Sequence, residues 1–108
     1  MLPGRCLFLF MIMVGVINAV SAHAEKIQVM IDNLVFSPVE IKAKVGDTVK
    51  WINKDIVAHT ATVHDGFDVM IEVNESASLV LKKAGIVEHY CLFHPNMKGR
   101  ISVTPWAK

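Results

Sequence analysis

The sequence predicts an all-β sandwich or barrel built from roughly seven to eight short strands. Three observations point there. Apolar and polar residues alternate with a period of two almost throughout, turn-forming residues interrupt the alternation at short intervals, and no window of about 11 residues shows strong helical periodicity.

The strands can be taken in order. Ile27, Val29 and Ile31 alternate with polar neighbours, and Asp32-Asn33 marks a turn. Phe36-Ser37-Pro38 leads into a strand around Val39-Glu40-Ile41. Val45-Gly46-Asp47 reads as a tight turn before Val49-Lys50-Trp51-Ile52, where Val49 and Trp51 face one side. His59 to Val63 forms the next strand. Between the turns at Asp65-Gly66 and Asn74-Glu75-Ser76, a further strand carries Phe67, Val69 and Ile71. Ser78 to Leu81, Ile86 to Cys91 and Gly99 to Val103 complete the set, with Lys82-Lys83-Ala84-Gly85 as a turn.

The N-terminal part reads differently. Arg5 precedes a nearly unbroken apolar run from Leu7 to Ile17, and Ala22-His23-Ala24 supplies small residues before the charged Glu25 and Lys26. A basic start, an apolar middle and a small-x-small end describe a secretory signal peptide, and the run is too short for a spanning helix. Residues 1–24 are therefore expected to be a cleaved signal, residues 25–108 a single domain, and the product periplasmic.

Without Arg5, the 11 Lys and Arg fall to 10 and match the 10 Asp and Glu. A neutral chain lacks the basic stripe of a nucleic-acid binder and has no general attraction to acidic membranes. Cys6 departs with the signal and leaves Cys91 alone, so no intrachain disulfide can form. A lone exported thiol is a reactive group, an intermolecular bridge or a metal ligand.

Its neighbours choose among these. Cys91, His94 and Met97 follow one another at intervals of three, C-x-x-H-x-x-M, with Pro95 excluding a helix interior and Gly99 marking the exit. A tight loop of this kind turns three donors toward one point, and His59 is the natural fourth. Thiolate and imidazole favour copper or zinc over oxygen-seeking cations. The thioether tilts the choice to copper, since two His and one Cys with a weak axial Met form the blue-copper donor set.

These segments resemble the plastocyanin/amicyanin branch of the cupredoxins, and within it the amicyanin-like members. The resemblance rests on Gly46-Asp47-Thr48-Val49-Lys50-Trp51-Ile52-Asn53-Lys54-Asp55 with His59, and on Tyr90-Cys91 with His94-Pro95-Asn96-Met97-Lys98-Gly99. It implies a Greek-key, cupredoxin-like fold and one copper per chain. His59 is then the buried imidazole ligand, Cys91 the thiolate, His94 the ligand near the surface and Met97 the axial thioether. Asn53 and Asp55 organise the turn that delivers His59. Thr60 stands where the family often has Asn and reaches less far, while Leu92 and Phe93 are bulkier than the usual loop residues.

The implied function is a soluble, monomeric one-electron carrier cycling between Cu(I) and Cu(II), with no catalytic residues. Its partners are redox proteins, in the family an amine dehydrogenase and a c-type cytochrome. The alternative is periplasmic copper handling; further readings are a structural or sensing domain and a zinc site, for which no H-E-x-x-H-type base is present. Outside the motifs, His89 is expected to be a partly exposed strand residue facing the same side as Cys91. Met30 and Met70 are expected to serve packing, Trp51 the core, and Trp106 to be exposed or packed on the rim.

Overall fold

The computed structural model describes residues 23–106. Nine strands are present among them: β1 (Lys26–Asp32), β2 (Val35–Ser37), β3 (Glu40–Lys44), β4 (Thr48–Asn53), β5 (His59–Thr62), β6 (Asp68–Ile71), β7 (Ser76–Val80), β8 (Gly85–Tyr90) and β9 (Lys98–Thr104). Residues 1–22 of the expected signal lie outside the described residues.

The strands form a sandwich of two sheets. One has the order β3-β9-β8-β5-β6 and the other β2-β1-β4-β7. β3 runs parallel to β9 and β1 parallel to β4, while the remaining neighbours are antiparallel. Alternation drives the packing: Val29 and Ile31 of β1 and Val49 and Trp51 of β4 point inward. They meet Ile41, Ala61, Ile71, Ile101 and Val103 from the other sheet. Burying these side chains contributes about 1.5–3 kcal/mol for each large residue.

The strand count exceeds expectation by the three-residue β2. It pairs with β1 across a two-residue turn in which Asn33 and Leu34 both have positive φ, 54° and 61°. Such a turn follows the right-handed twist of the strands, and Asn suits it; a leucine there is strained. Phe36 and Ser37, expected only to lead into the strand at Val39-Glu40-Ile41, form β2 in the other sheet, separated from β3 by Pro38 and Val39.

Two packing expectations are corrected. His89 is 2% exposed, because its inward direction, shared with Cys91, leads into the core. Its ring meets Phe36 and Trp51 edge-on, with centroids 4.6 and 5.8 Å apart. Gly99, opposite His89 in the ladder, leaves the space that the imidazole occupies. Burial lowers the His89 pKa to about 4, so the ring is neutral at physiological pH. Met70, on the outward face of the edge strand β6, is exposed rather than packed.

Trp51 is fully buried, as expected, and Trp106 folds back over Gly46. Gly46 has φ of 101°, and a Cβ there would be driven into the Trp106 ring. Gly46→Ala is therefore expected to lose at least about 1–2 kcal/mol, the cost of an L side chain in left-handed backbone. Urea denaturation checks this; a loss below about 0.5 kcal/mol, the range of neutral surface changes, would contradict the fit.

Candidate metal centre

Main-chain pairing between β5 and β8 ends at Thr62 and Tyr90. Beyond that pair Thr60 takes over the connection. Its amide N–H points at Cys91 Sγ, 3.4 Å away, and its hydroxyl accepts the Leu92 N–H at 2.8 Å. The two segments that carry His59 and Cys91 are thereby fastened side by side where the ladder has run out.

The hydroxyl is itself held. Thr60 Oγ1 lies 2.9 Å from Thr62 Oγ1, which lies 2.8 Å from Asp68 Oδ1. A carboxylate only accepts, so the single Thr62 proton goes to Asp68 and Thr60 donates to Thr62. The result is a directed chain from the Leu92 amide through two threonines to Asp68 on β6. Although threonine is shorter than asparagine, its hydroxyl and amide make the connection here.

The spacing of three in the loop has a structural cause. His94 N–H bonds to Cys91 O at 3.3 Å and Met97 N–H to His94 O at 2.9 Å, so each interval closes one turn. Cys91 N–H then bonds to Met97 O at 3.1 Å, which joins the loop's two ends. Cys91 and Met97 are buried, and His94 is half-buried at the rim.

His59, at the start of β5, is fully buried. Its Nδ1 faces Cys91 Sγ at 3.6 Å and its Nε2 lies 2.8 Å from Asp55 Oδ2. The Nε2–H therefore donates to the carboxylate, which turns Nδ1 toward the thiol. Burial pushes the Asp55 carboxyl up, but the Leu34 amide, the His59 ring and the Asn33 amide outweigh it. Their net effect holds it below the ordinary carboxylate value. Asn53, also buried, fixes the turn: its Oδ1 accepts the Asp55 N–H, and its amide group donates to Val57, Ile71 and Glu72 carbonyls.

His94 Nδ1 also faces Cys91 Sγ, at 3.7 Å, and the donor atoms of His59, Cys91 and His94 all lie within 4.8 Å of one another. Donors bound to one first-row ion at about 2.0–2.3 Å and near-trigonal angles stand about 3.5–3.8 Å apart. The observed sulfur–nitrogen separations match that spacing. The polypeptide thus brings a thiol and two imidazole nitrogens to a common point. Met97 lies at the end of the same loop, its amide bonded to His94 and its carbonyl to Cys91. His64 is exposed, and His89 is separate from the cluster of three donors. Sequence reasoning missed the roles of Thr62 and Asp68; the only trace of them is the Thr-x-Thr pattern on a fully buried strand.

A cupredoxin-like domain family matches residues 5–103. Among characterised proteins, amicyanin of Paracoccus denitrificans is 31% identical over 84 residues, 71% of this chain and 64% of that protein. Amicyanin-alpha of Methylorubrum extorquens is 29% identical over 97 residues, 82% of each. Among solved structures, a reduced Cu(I) amicyanin variant at pH 4 superposes with a TM-score of 0.67 at 31% identity. That match covers 78% of this chain and 85% of that one.

The threonine connection generates a direct test. Thr60→Val keeps the side-chain shape and leaves the Leu92 N–H without its acceptor, at a cost of about 1–3 kcal/mol. Hydrogen exchange at Leu92 is expected to accelerate in Thr60→Val and to stay slow in Thr60→Ser. Equal exchange in wild type and Thr60→Val would contradict the connection.

Proposed function

The chain belongs to the cupredoxin-like family, and on that premise we propose that it is an exported blue-copper electron carrier whose ligands are His59, Cys91, His94 and Met97. The observation that carries the reading is the convergence of Cys91 Sγ with the Nδ1 atoms of His59 and His94. The donor chemistry selects the metal, because thiolate, two imidazoles and a thioether suit copper. Copper bound there supplies a one-electron couple between Cu(I) and Cu(II).

The rest is the work of the polypeptide. Asp55 fixes the tautomer and direction of His59, and Thr60 fixes the thiol against the strand that carries His59. Both arrangements resist movement when the charge at the site changes. Fully buried Cys91 and His59 keep water away, and half-buried His94 is the ligand nearest to solvent. Electrons enter and leave through its outer edge.

Around that edge the surface is apolar. Leu92 and Phe93, on the same loop as His94, are about half exposed, and the exposed Leu34 lines the same surface hollow as His94. A patch of this kind suits brief docking, since redox encounters use small interfaces. The partners are redox proteins, with an amine dehydrogenase as donor and a c-type cytochrome as acceptor. The chemistry forms no bond to a substrate, so the chain acts as a carrier and not as an enzyme. The apolar run and small-residue site of residues 1–24 direct it to the periplasm.

Voltammetry of the copper-loaded protein tests the carrier reading. A reversible one-electron wave with one copper per chain is the expected result. A protein that binds Cu(I) tightly but shows no reversible wave would favour copper handling. Phe93→Glu is expected to slow electron exchange with the partner by at least about tenfold, roughly 1.4 kcal/mol of docking, with an unchanged copper spectrum. An altered spectrum at an unchanged rate would overturn the docking role of the patch.

A further inference from the structure

The fold receives its first residue in an unusual way. Glu25 lies just ahead of β1, yet both of its backbone groups are held: its carbonyl accepts the Thr48 N–H at 2.8 Å, and its own N–H donates to Asp47 Oδ1 at 2.8 Å. Asp47 is 3% exposed, so this carboxylate is a buried acceptor aimed at the nitrogen of Glu25. His23 and Ala24, immediately before it, are exposed and irregular. The peptide bond between Ala24 and Glu25 therefore joins an accessible segment to a fixed atom.

We propose that the Ala24–Glu25 bond is a processing site whose cleavage places a free α-ammonium on Glu25 in a preformed seat on the Asp47 carboxylate. The proposal rests on the reading of residues 1–24 as an export signal and is independent of the copper reading. The step is a hydrolysis by an export-pathway endoprotease that reads the small residues Ala22 and Ala24. Water adds across the amide: Ala24 leaves as a carboxylate, and the Glu25 nitrogen takes up protons to become an ammonium. No oxidant or other co-reactant is needed.

Cleavage changes the chemistry at the nitrogen but not its position, because Thr48 and β1 hold the residue from the other side. One neutral N–H donor becomes a cation with three. Charge-assisted bonds are roughly twice as strong as neutral ones, and burial of Asp47 limits screening by solvent. Burial pushes the Asp47 carboxyl up. The Glu25 and Lys44 amides and the Lys44 ammonium outweigh it, so the carboxyl is already ionised and ready to pair.

Among the described residues, the charged groups around the seat are few. Lys44 Nζ lies 3.2 Å from the same Oδ1 and its amide N–H bonds Oδ2 at 2.9 Å. Lys42, on β3, borders the same hollow, with Thr104 of β9 beside it. Both lysines repel an ammonium, while Asp47 and the Glu25 side chain attract it; Asp47 is in direct contact and outweighs the rest. The folded pKa of the α-amine is therefore raised. Its stabilisation is complete below the ordinary value of about 7.7–8.0 and is lost as pH rises through the raised folded value.

The test uses the full chain exported from a bacterial host, with the intact mass locating its first residue. A second chain carries one serine inserted between Ala24 and Glu25, which restores an amide at Glu25 and leaves Asp47 intact. Both are made with and without Asp47→Asn. Melting is followed from pH 6 to 10 and the α-amine is titrated by NMR. The expected results are a first residue of Glu25 and an α-amine pKa above about 8.0. The Tm advantage over the inserted chain should be about 4–8 °C at pH 6, fade toward pH 10 and be absent in the Asp47→Asn pair. A first residue elsewhere would overturn the proposal together with the export reading at this bond. A chain starting at Glu25 with an ordinary amine pKa and no Tm advantage would overturn the ammonium seat while leaving the export reading in place.

Discussion

Where the ladder between β5 and β8 stops, Thr60 makes two bonds that the backbone no longer makes: its amide to Cys91 Sγ and its hydroxyl to the Leu92 N–H. His59 lies one residue before it, and Cys91 and His94 lie on the loop it fastens. If these bonds were absent, the two ligand-bearing segments would be joined only through the Thr62–Tyr90 pair and the core beneath. The threonine hydroxyls pass the connection on to Asp68, so the edge strand β6 also helps fix the ligand loop. A small domain gains from such crosslinks because its surface-to-volume ratio limits what hydrophobic burial alone provides.

A second network reaches His59 from the opposite side. Asp55 binds the imidazole and, with the same carboxylate, the amides of Asn33 and Leu34. Those two residues have positive φ, which costs a leucine about 1–2 kcal/mol. The bonds from Asp55 offset that strain and join the β1–β2 turn to the ligand turn. The same turn places the exposed Leu34 beside the rim residue His94, so the apolar surround of the site continues from the ligand loop onto a different hairpin. Beneath the site the aromatic cluster of Phe36, Trp51 and His89 fills the sandwich. Trp51 Nε1 and His89 Nδ1 are buried there without hydrogen-bond partners.

Much of this was legible in the sequence, and for identifiable reasons. Alternation marked β1, β4 and β9 because each has one face in the core. The interval of three in Cys91, His94 and Met97 marked the loop because each interval is one hydrogen-bonded turn. β2 escaped notice because three residues carry almost no periodicity, and Pro38 hid the change of sheet. His89 looked exposed because histidine is polar; its environment depends on Gly99, ten residues later and opposite it in the ladder. Thr62 and Asp68 were invisible as supports of the site, since their contribution exists only once β5, β6 and the ligand loop are side by side. Thr60 was noticed, but its reach depends on how closely the two strands approach, which no single sequence reveals.

The fold itself brings a cysteine sulfur and two imidazoles to one point, and copper takes that place. The most direct measurement is the visible absorption spectrum of the purified protein with one equivalent of Cu(II), recorded before and after ascorbate. The account predicts an intense thiolate-to-copper charge-transfer band at a 1:1 ratio, as expected for a two-His, one-Cys site, bleached on reduction and restored on reoxidation. A colourless Cu(II) complex, or a protein that takes zinc and rejects copper, would contradict it.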